Sequence, residues 1–533
     1  MILAWFLVLP LLAFVVYGFR PLDRWRLKHI PGPAQLWLVG NLPGFAKYGD
    51  FEFFHRLHKQ YGNVFKVWAL GNNVVAASPE LCRQILLQNQ LRFPVGNLFA
   101  GEMHEFESAN ILFHQKLDKV RAMRNAWHPM SYSGSLENFV GLMHRAADKA
   151  VQRLSAVIDS KEAINAHMVL SAMTIQVIAA AAFGVDVSDP DTVLRELNGT
   201  PYTVAELLKD MRMVFKVTNN PNCIYTQLGL LLPFAAPLWR LLANVFPNEN
   251  HAKALDLRTR LVPFAKALVA DQTAAVAEQD DTIKAFQPGG DGTKRKGVAA
   301  GSFIDILVRS KQHATMSLTD TEIANQVYLM LLAGFETTAN ALSFTVYCLA
   351  QHPDKAEKLA AEIHSQPENP DYTTLTEGFP YTDACIREGM RLYPPGTIVG
   401  RVAAKDMDLG GYKVPKGTNL IGPIYAIHHD ESVWPQAEAF LPERHLSDDA
   451  VGAPTCPHAW LGFGEGARSC VGSRLALLEA KLALVHLFRN LSFRLTPGQV
   501  PLKLLATITL GPKEGVWVTV HERKAAANLA AEP

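Results

Sequence analysis

A short glycine-rich stretch around a single cysteine carries the residues best suited to metal chemistry. It runs Phe463-Gly-Glu-Gly-Ala-Arg-Ser-Cys470-Val-Gly472. Glycines let a backbone adopt positive φ and pass close to a bulky partner, and a cysteine among them can present a soft thiolate to a metal. Arg468, two residues earlier, can neutralise an anion. The stretch therefore predicts a thiolate metal site at Cys470, with an inert packing cysteine as the alternative.

A second chemical signal lies in the middle of a long predicted helix. A capping box at Thr319–Glu322 starts the helix, and the helical pattern continues to Gln351. Ala333-Gly-Phe-Glu-Thr-Thr338 lies halfway along it. A glycine, a carboxylate and two β-branched hydroxyl residues are unfavourable in a buried helix, which indicates a function. The alternative is a helix bent by Ser/Thr hydrogen bonds, with Glu336 on a solvated face.

A third signal pairs a carboxylate with a guanidinium group. Glu388-Gly-Met-Arg391 puts the two groups on one helix face, and Pro442-Glu-Arg444 supplies a further guanidinium. The spacing alone is a weak signal, because Glu80-Leu-Cys-Arg83 shows it too.

Together these stretches resemble the cytochrome P450 family, the haem-thiolate monooxygenases. The resemblance implies a mainly α fold, with a large helical lobe, a smaller β-rich lobe and one N-terminal transmembrane helix. It implies haem b as the cofactor and Cys470 as the axial ligand of its iron, because a thiolate favours O–O cleavage. The stretches follow one another in the family's order, which selects the pair at Glu388 over the pair at Glu80.

The resemblance also assigns the residues around the haem. Phe463 would pack beside the sulfur and the porphyrin, and the small Gly472 would let the following helix approach the ring. Arg468 and Arg401 would bind the haem propionates.

Arg124 would be a third propionate-binding residue, by counting back from His128-Pro129. Where the family has a tryptophan four residues before this arginine, the chain has Val120. That departure leaves one propionate contact open.

The resemblance assigns catalysis to Glu336 and Thr337. Gly334 would open room for dioxygen, Thr337 would hydrogen-bond the distal oxygen, and Glu336 would relay protons from water.

A buried triad of Glu388, Arg391 and Arg444 would hold the haem loop. His445 follows this triad arginine at a position where the family usually has an aromatic residue.

Bulk composition narrows the function classes. The 533 residues carry 51 Lys+Arg and 50 Asp+Glu, a formal charge of +1, which gives no support for nucleic-acid binding. The six cysteines include no C-x-x-C pair, as is typical of scattered thiols in a reducing compartment.

The amino-terminal stretch over 1–19 has no charged residue and is long enough to cross a bilayer. Basic residues follow at once, so the positive-inside rule places the body of the protein in the cytoplasm; a cleaved signal peptide is the alternative. The predicted organisation is an anchor over 1–19, a basic and Pro-rich hinge over 20–34, a haem-thiolate catalytic domain over 35–523 and a disordered tail over 524–533.

Three further segments carry smaller predictions. Residues 224–247 are apolar and broken by prolines, which predicts either a buried core segment or a surface patch that enters the membrane. His428-His429 suggests a metal only weakly, because adjacent side chains point apart on regular elements. Residues 504–510 and 516–520 are predicted to form a final hairpin.

The expected reaction inserts one atom of dioxygen into a small lipophilic substrate, by hydroxylation or epoxidation. By resemblance, the electrons would come from NADPH-cytochrome P450 reductase, with cytochrome b5 as a further donor. The protein would lie at the endoplasmic reticulum membrane and contact membrane lipid. The alternatives are a haem-thiolate isomerase or dehydratase of lipid peroxides and a non-catalytic haem-binding sensor. The Glu336–Thr337 pair argues against both, because neither needs a proton relay.

Overall fold

The computed structural model describes residues 21–523 with several gaps. The gaps cover residues 37–39, 69–70, 88–110, 113–116, 159, 161, 185–186, 188, 198, 219–235, 278–300, 314–317, 448 and 507–508. The predicted anchor over 1–19 and the predicted tail over 524–533 lie outside the described residues.

Helices make up most of the described chain, so the mainly α expectation is confirmed. In chain order they are α1 (Pro21–Arg26), α2 (Leu42–Tyr61), α3 (Pro79–Leu87), α4 (Leu117–Trp127), α5 (Ser133–Ser155), α6 (Ala166–Phe183), α7 (Val204–Thr218), α8 (Ala236–Val245), α9 (Glu249–Ala277), α10 (Phe303–His313), α11 (Asp320–Gln351), α12 (Pro353–His364), α13 (Tyr372–Glu377), α14 (Pro380–Leu392), α15 (Ile424–His428) and α16 (Ser473–Asn490). Short 3₁₀ turns cover His128–Ser131, Pro442–His445 and Gly466–Arg468.

The strands are short and form small sheets. They are β1 (Val64–Trp68), β2 (Asn72–Ala76), β3 (Ile164–Asn165), β4 (Val193–Leu197), β5 (Thr200–Thr203), β6 (Val399–Val402), β7 (Met407–Leu409), β8 (Tyr412–Val414), β9 (Asn419–Gly422), β10 (Leu491–Leu495), β11 (Leu504–Ala506), β12 (Leu510–Pro512) and β13 (Trp517–Glu522). One sheet has the order β1-β2-β9-β6 and another the order β10-β13-β3; β4–β5, β7–β8 and β11–β12 form two-stranded ladders.

The hydrophobic core is divided between the helices and the sheet that contains β1 and β2. The largest cluster of buried side chains lies among the helices, and smaller clusters lie around the sheet that contains β1 and β2. The large helical part and the smaller β-rich part therefore each bury apolar side chains of their own, as two-layer packing requires.

Helix α11 passes through the largest core and positions the second chemical signal. Its capping box is present: the Glu322 N–H donates to Thr319 Oγ1 at 3.2 Å, and the Thr319 N–H donates to Glu322 Oε2 at 2.8 Å. It packs against α6, α9, α14 and α16, so the residues halfway along it lie deep inside the protein.

Helices α6 and α11 are long and apolar enough to cross a membrane. Their most apolar windows are 83% and 72% buried inside the protein, however. Burial against other helices explains their composition, and neither helix supports a membrane span.

The last strands of the chain differ from the sequence-based expectation. β11 (Leu504–Ala506) pairs with β12 (Leu510–Pro512), with Leu504 opposite Pro512. β13 pairs instead with β10 and β3. The prediction that 504–510 and 516–520 form one hairpin is therefore wrong, because the strand pattern does not state which strand is the neighbour.

The segment predicted as a hinge continues into the fold. Leu27 and Ile30 are buried, and the Lys66 N–H on β1 donates to the Pro31 carbonyl oxygen at 2.7 Å. Residues 27–31 therefore lie against the β-rich part.

Candidate active site

The loop that presents Cys470 is held in a closed turn. The Cys470 N–H donates to the Phe463 carbonyl oxygen at 2.9 Å. Gly464 and Gly466 have φ of +66° and +78°, a region that other residues rarely adopt. A Cβ at Gly466 would lie 2.9 Å from the Leu86 carbonyl oxygen of α3. The backbone itself therefore requires glycine at these two positions.

Phe463 and Gly472 mark the two ends of the loop. The Phe463 ring packs at the edge of the largest core and lies 5.7 Å from the Trp460 ring. Gly472 is the N-cap of α16, and a Cβ there would meet nothing within 4 Å. Its backbone N–H hydrogen-bonds to the Cys470 sulfur. The protein contacts therefore give Gly472 a role through its backbone rather than through its size.

Cys470 differs from most of the other described cysteines in its surroundings. Cys82, Cys348 and Cys385 are buried, whereas the Cys470 side chain keeps exposed surface. Many protein atoms nevertheless surround the sulfur. Burial therefore raises the pKa of the Cys470 thiol, while the Gly472 N–H and the charge of Arg124 act to lower it. An accessible sulfur beside a cation is a suitable donor for a soft metal.

The three arginines predicted to bind propionates come together beside this loop. Arg124 Nη2 donates to the Ser469 carbonyl oxygen at 3.0 Å, and Arg468 Nη1 donates to the Ile111 carbonyl oxygen at 2.6 Å. Arg401, on β6, is buried, and its Nε has no hydrogen-bond partner among the described residues.

The electrostatics of these arginines indicate an anionic ligand. Burial, and then the charges of Arg401 and Arg124, lower the pKa of Arg468 to about 10. Burial lowers the pKa values of Arg401 and Arg124 as well. Partly desolvated cations that repel one another are stabilised by an anion between them. The residues present therefore fit haem: Cys470 would hold the iron, and the three arginines would hold the propionates.

Val120 stands where the family has a tryptophan. It is 1% exposed and packs in the largest core. An aliphatic side chain cannot donate a hydrogen bond. The tryptophan contact to a propionate therefore has no counterpart at Val120.

Glu336 and Thr337 lie on an accessible stretch in the middle of α11. Ala333 is exposed, and Glu336 and Thr337 are half-buried, whereas most of their neighbours on the helix are buried. Thr337 Oγ1 donates to the Ala333 carbonyl oxygen, one turn earlier, at 2.6 Å. Burial raises the pKa of the Glu336 carboxyl to about 7. A carboxyl that titrates near neutral pH beside an accessible hydroxyl is suited to proton transfer.

Gly334 has a packing role. A Cβ there would lie 2.6 Å from Ile178 Cδ1 on α6. On the same helix, Thr174 Oγ1 donates to the Phe335 carbonyl oxygen at 3.0 Å. The glycine therefore lets α6 and α11 approach closely. This contact does not support the expectation that Gly334 opens room for dioxygen.

Glu388, Arg391 and Arg444 meet in the interior, and all three side chains have 0% exposure. Arg391 Nε and Arg444 Nε donate to the two Glu388 carboxylate oxygens at 2.9 and 3.0 Å. The Leu441 N–H donates to the same carboxylate at 3.0 Å. A buried carboxylate with this many donors is a rigid junction between α14 and the Pro442–His445 turn.

His445 is a further member of this cluster that the sequence reasoning missed. Its Nε2 lies 2.9 Å from Glu388 Oε2. Burial alone would raise the pKa of Glu388, but the His445 hydrogen bond and the charges of Arg391 and Arg444 lower it to about 2. The sequence did contain a signal for this role: His445 places a polar ring where the family usually has an aromatic residue.

His428 connects this cluster to the cysteine loop, and the sequence reasoning missed this role too. Arg391 Nη1 donates to the His428 carbonyl oxygen at 2.7 Å. The Leu461 N–H, just before the loop, donates to His428 Nε2 at 2.9 Å. Burial lowers the pKa of His428 well below its usual value, so the neutral ring can accept this bond. The chain from Glu388 through Arg391 and His428 thereby positions the start of the loop.

The weak metal signal at His428-His429 has a structural explanation. His429 Nδ1 lies 3.0 Å from Glu438 Oε1, and its Nε2 lies 2.9 Å from the Leu392 carbonyl oxygen. Across the described ranges, no three His, Cys, Asp or Glu side chains come together as a metal site. Both histidines therefore serve packing and positioning.

Comparison with known proteins gives one consistent result. The family model described as "Cytochrome P450" matches residues 30–518. Thromboxane-A synthase of Macaca fascicularis is 31% identical over 95% of this chain and 94% of its own length. The enzyme of the same name in Mus musculus is 30% identical over the same shares, and cytochrome P450 3A41 of Mus musculus is 28% identical over 95% and 94%. The chain therefore belongs to the cytochrome P450 family of haem-thiolate enzymes, which use haem b with a cysteine thiolate ligand.

Proposed function

We propose that the protein is a monooxygenase that inserts one atom of dioxygen into a small lipophilic substrate. The observation that carries this proposal is the Glu336–Thr337 pair on the accessible stretch of α11, with a carboxyl whose pKa is raised to about 7. Oxygen insertion releases the second oxygen atom as water and consumes two protons. A group that exchanges protons at neutral pH beside a hydroxyl meets this need.

The division of labour follows from the positions of the residues. Haem held by Cys470 would supply the activation of dioxygen. The loop from Phe463 to Gly472 fixes the sulfur, and Arg124, Arg401 and Arg468 would neutralise the propionates. The Glu336 carboxyl takes up a proton from water and passes it inward. The Thr337 hydroxyl, which now donates to the Ala333 carbonyl oxygen, can turn to donate a proton at the oxygen that leaves as water.

The test of this function is incorporation of labelled oxygen. Haem-loaded protein in a lipid bilayer is supplied with reductase, NADPH and ¹⁸O₂, and lipophilic candidates are screened first by the spectral shift that binding produces. The proposal predicts one ¹⁸O atom in the product and NADPH consumption that depends on the substrate. Product that forms without NADPH, or without ¹⁸O, would contradict it.

Thr337→Ala should uncouple electron use from product formation. The expected result is a fall of about tenfold or more in product per NADPH, because the hydroxyl that supplies the proton is gone. Hydrogen peroxide should appear in its place. Thr338→Ala is the matched control, because the Thr338 side chain is buried and its Oγ1 donates to the Gly334 carbonyl oxygen at 2.9 Å. Equal coupling in the two variants would remove the proposed role of Thr337.

The coupling ratio should also depend on pH through Glu336. Its pKa is raised from 4.5 to about 7, so the carboxyl keeps its proton up to neutral pH and loses it as the pH rises further. Product per NADPH should therefore decrease as the pH rises through about 7. Glu336→Gln should give a lower ratio that does not change with pH. A wild-type ratio that stays flat from about pH 6 to about pH 8.5 would contradict the relay.

We propose NADPH-cytochrome P450 reductase as the electron donor, with cytochrome b5 as a further donor, at the cytoplasmic face of the endoplasmic reticulum. Family members take electrons from a redox partner and bind lipophilic substrates. The uncharged residues 1–19 and the basic residues after them support the location. The end of α8 adds an apolar surface, on which Leu238, Leu241, Val245 and Phe246 are exposed. Residues 224–235 of the predicted apolar segment lie outside the described residues.

A second candidate is a haem-thiolate isomerase or dehydratase of lipid peroxides. Relatives named as a synthase favour it. The labelled-oxygen experiment separates the two reactions, because a rearrangement consumes neither NADPH nor dioxygen.

A further inference from the structure

A basic groove lies outside the candidate active site. It is a cavity of about 810 Å³ between α5, α6 and α7, and Val187 and Pro190 also line it. Gln176 lines the groove, whereas Ile178, two residues later, faces Gly334 of α11. Two residues correspond to about 200° around a helix. The groove therefore lies on the side of α6 that faces away from α11.

The charged side chains that line the basic groove are all cationic. They are Lys149, Arg153, Lys209 and Arg212. Partial burial lowers the pKa of Arg212, and the nearby positive charge of Arg153 lowers it further. An anion between the two guanidinium groups would offset this repulsion.

Two carboxylates on α5 and α7, those of Asp148 and Asp210, contact residues outside the groove. Asp148 lies 2.9 Å from His486, and Asp210 binds Arg260 through both oxygens at 2.8 and 2.9 Å. Within the described part of the chain, no carboxylate forms an ion pair with Arg153 or Arg212. The charges of Arg153 and Arg212 are therefore available to a ligand.

The floor of the basic groove is apolar. Eight of its fourteen lining residues are Ala, Val, Leu, Met or Pro, including Val187, Leu208 and Met213. A purely polar polyanion would leave this surface uncovered. The volume of the basic groove lies in the range of small-molecule sites, about 300–1,000 Å³. A ligand with an apolar body and an anionic head would match the groove, because the body would cover the apolar floor and the head would bind the cationic side chains.

We propose that the basic groove binds an amphiphilic anion, a single apolar chain with a carboxylate or phosphate head. The head lies between Arg153 and Arg212, with Lys149 and Lys209 at the rim, and the chain covers the apolar floor. Guanidinium groups suit both kinds of head, because they form paired hydrogen bonds with carboxylate and phosphate oxygens. This binding does not depend on the oxygen chemistry at Cys470.

The test is photocrosslinking of the full haem-loaded chain in phosphatidylcholine bilayers. The probe is a palmitic-acid analogue that carries a diazirine at the end of its chain; a phosphate-headed analogue and a neutral alcohol analogue accompany it. An imidazole that ligates haem iron fills the active site. Mass spectrometry identifies the labelled peptides. Labelling of groove peptides can therefore be separated from labelling by probe dissolved in the bilayer.

The expected result is labelling of α5 and α7 peptides that line the basic groove. Arg153→Gln combined with Arg212→Gln should lower this labelling at least tenfold. Arg153→Lys combined with Arg212→Lys should lower it less than the glutamine pair does, because lysine keeps the charge but cannot form the paired hydrogen bonds. Arg145→Gln, an exposed charge on α5 that does not line the groove, is the matched control and should change nothing. The probe that labels the groove at the lower concentration shows whether the site prefers a carboxylate or a phosphate head.

Three results would overturn the inference. They are an absence of crosslinks in the basic groove at saturating probe, equal labelling of the wild type and the double glutamine variant, and equal labelling by the neutral alcohol. The reduced carbon monoxide spectrum of each variant verifies that it is folded and holds haem. A monooxygenase assay is not needed, so failure of the proposed function and failure of this site are distinguishable.

Discussion

Cys470→Ala should abolish turnover while leaving the polypeptide folded. Activity should fall by on the order of a thousandfold or more, because the side chain proposed to hold the haem iron is lost. The fold should survive, since the Cys470 N–H bond to the Phe463 carbonyl oxygen is a backbone contact and remains. The measurements are substrate turnover, bound haem and the far-ultraviolet circular dichroism spectrum.

Cys456→Ala is the control for this substitution. Cys456 is the other described cysteine that is not buried, and it lies before the loop. The Cys456 variant should keep its haem and its turnover. Full activity of the Cys470 variant, or an equal loss in both variants, would contradict the assignment of Cys470.

Glu388→Gln should prevent accumulation of stable haem-loaded protein. The amide keeps the shape of the side chain but leaves two fully buried guanidinium groups without a counter-charge. Removing one partner of a buried ion pair costs about 3–5 kcal/mol, a large part of a typical free energy of unfolding. Thermal unfolding and haem content per polypeptide are the measurements.

The chain contains its own control for this variant. Glu80 belongs to the second E-x-x-R match, but it is exposed, and Arg83 pairs with Glu465 at 3.0 Å. Glu80→Gln should therefore change the free energy of unfolding by less than about 0.5 kcal/mol. Similar effects of the two substitutions would contradict a structural role that is specific to Glu388.

The pH dependence of stability gives the same cluster a second test. The folded-state pKa of Glu388 is lowered from 4.5 to about 2, so its ionised form stabilises the native state. This contribution is complete above about pH 4.5 and is lost as the pH falls towards 2. The free energy of unfolding of the wild type, measured by denaturant titration, should therefore decrease as the pH falls through that range.

The sequence predicted elements whose signals are local. The capping box at Thr319, the full length of α11 and the turn around Cys470 depend on neighbouring residues, and the structure has them where they were predicted. Arg391 and Arg444 meet at Glu388 as the resemblance implied.

Contacts between distant segments could not be predicted in the same way. The Leu461 N–H meets the ring of His428, and Gly334 meets Ile178, because of how whole elements pack. The pairing of β13 with β10 has the same origin. A periodic pattern states which face of an element is buried, but it does not identify the partner.

The most direct test of the account is the reduced carbon monoxide difference spectrum of the purified full-length protein. The wild-type protein should show the band characteristic of iron with a thiolate ligand, and Cys470→Ser should lose it. A wild-type protein that binds no haem, or a spectrum that Cys470→Ser leaves unchanged, would contradict the claim that Cys470 ligates haem iron.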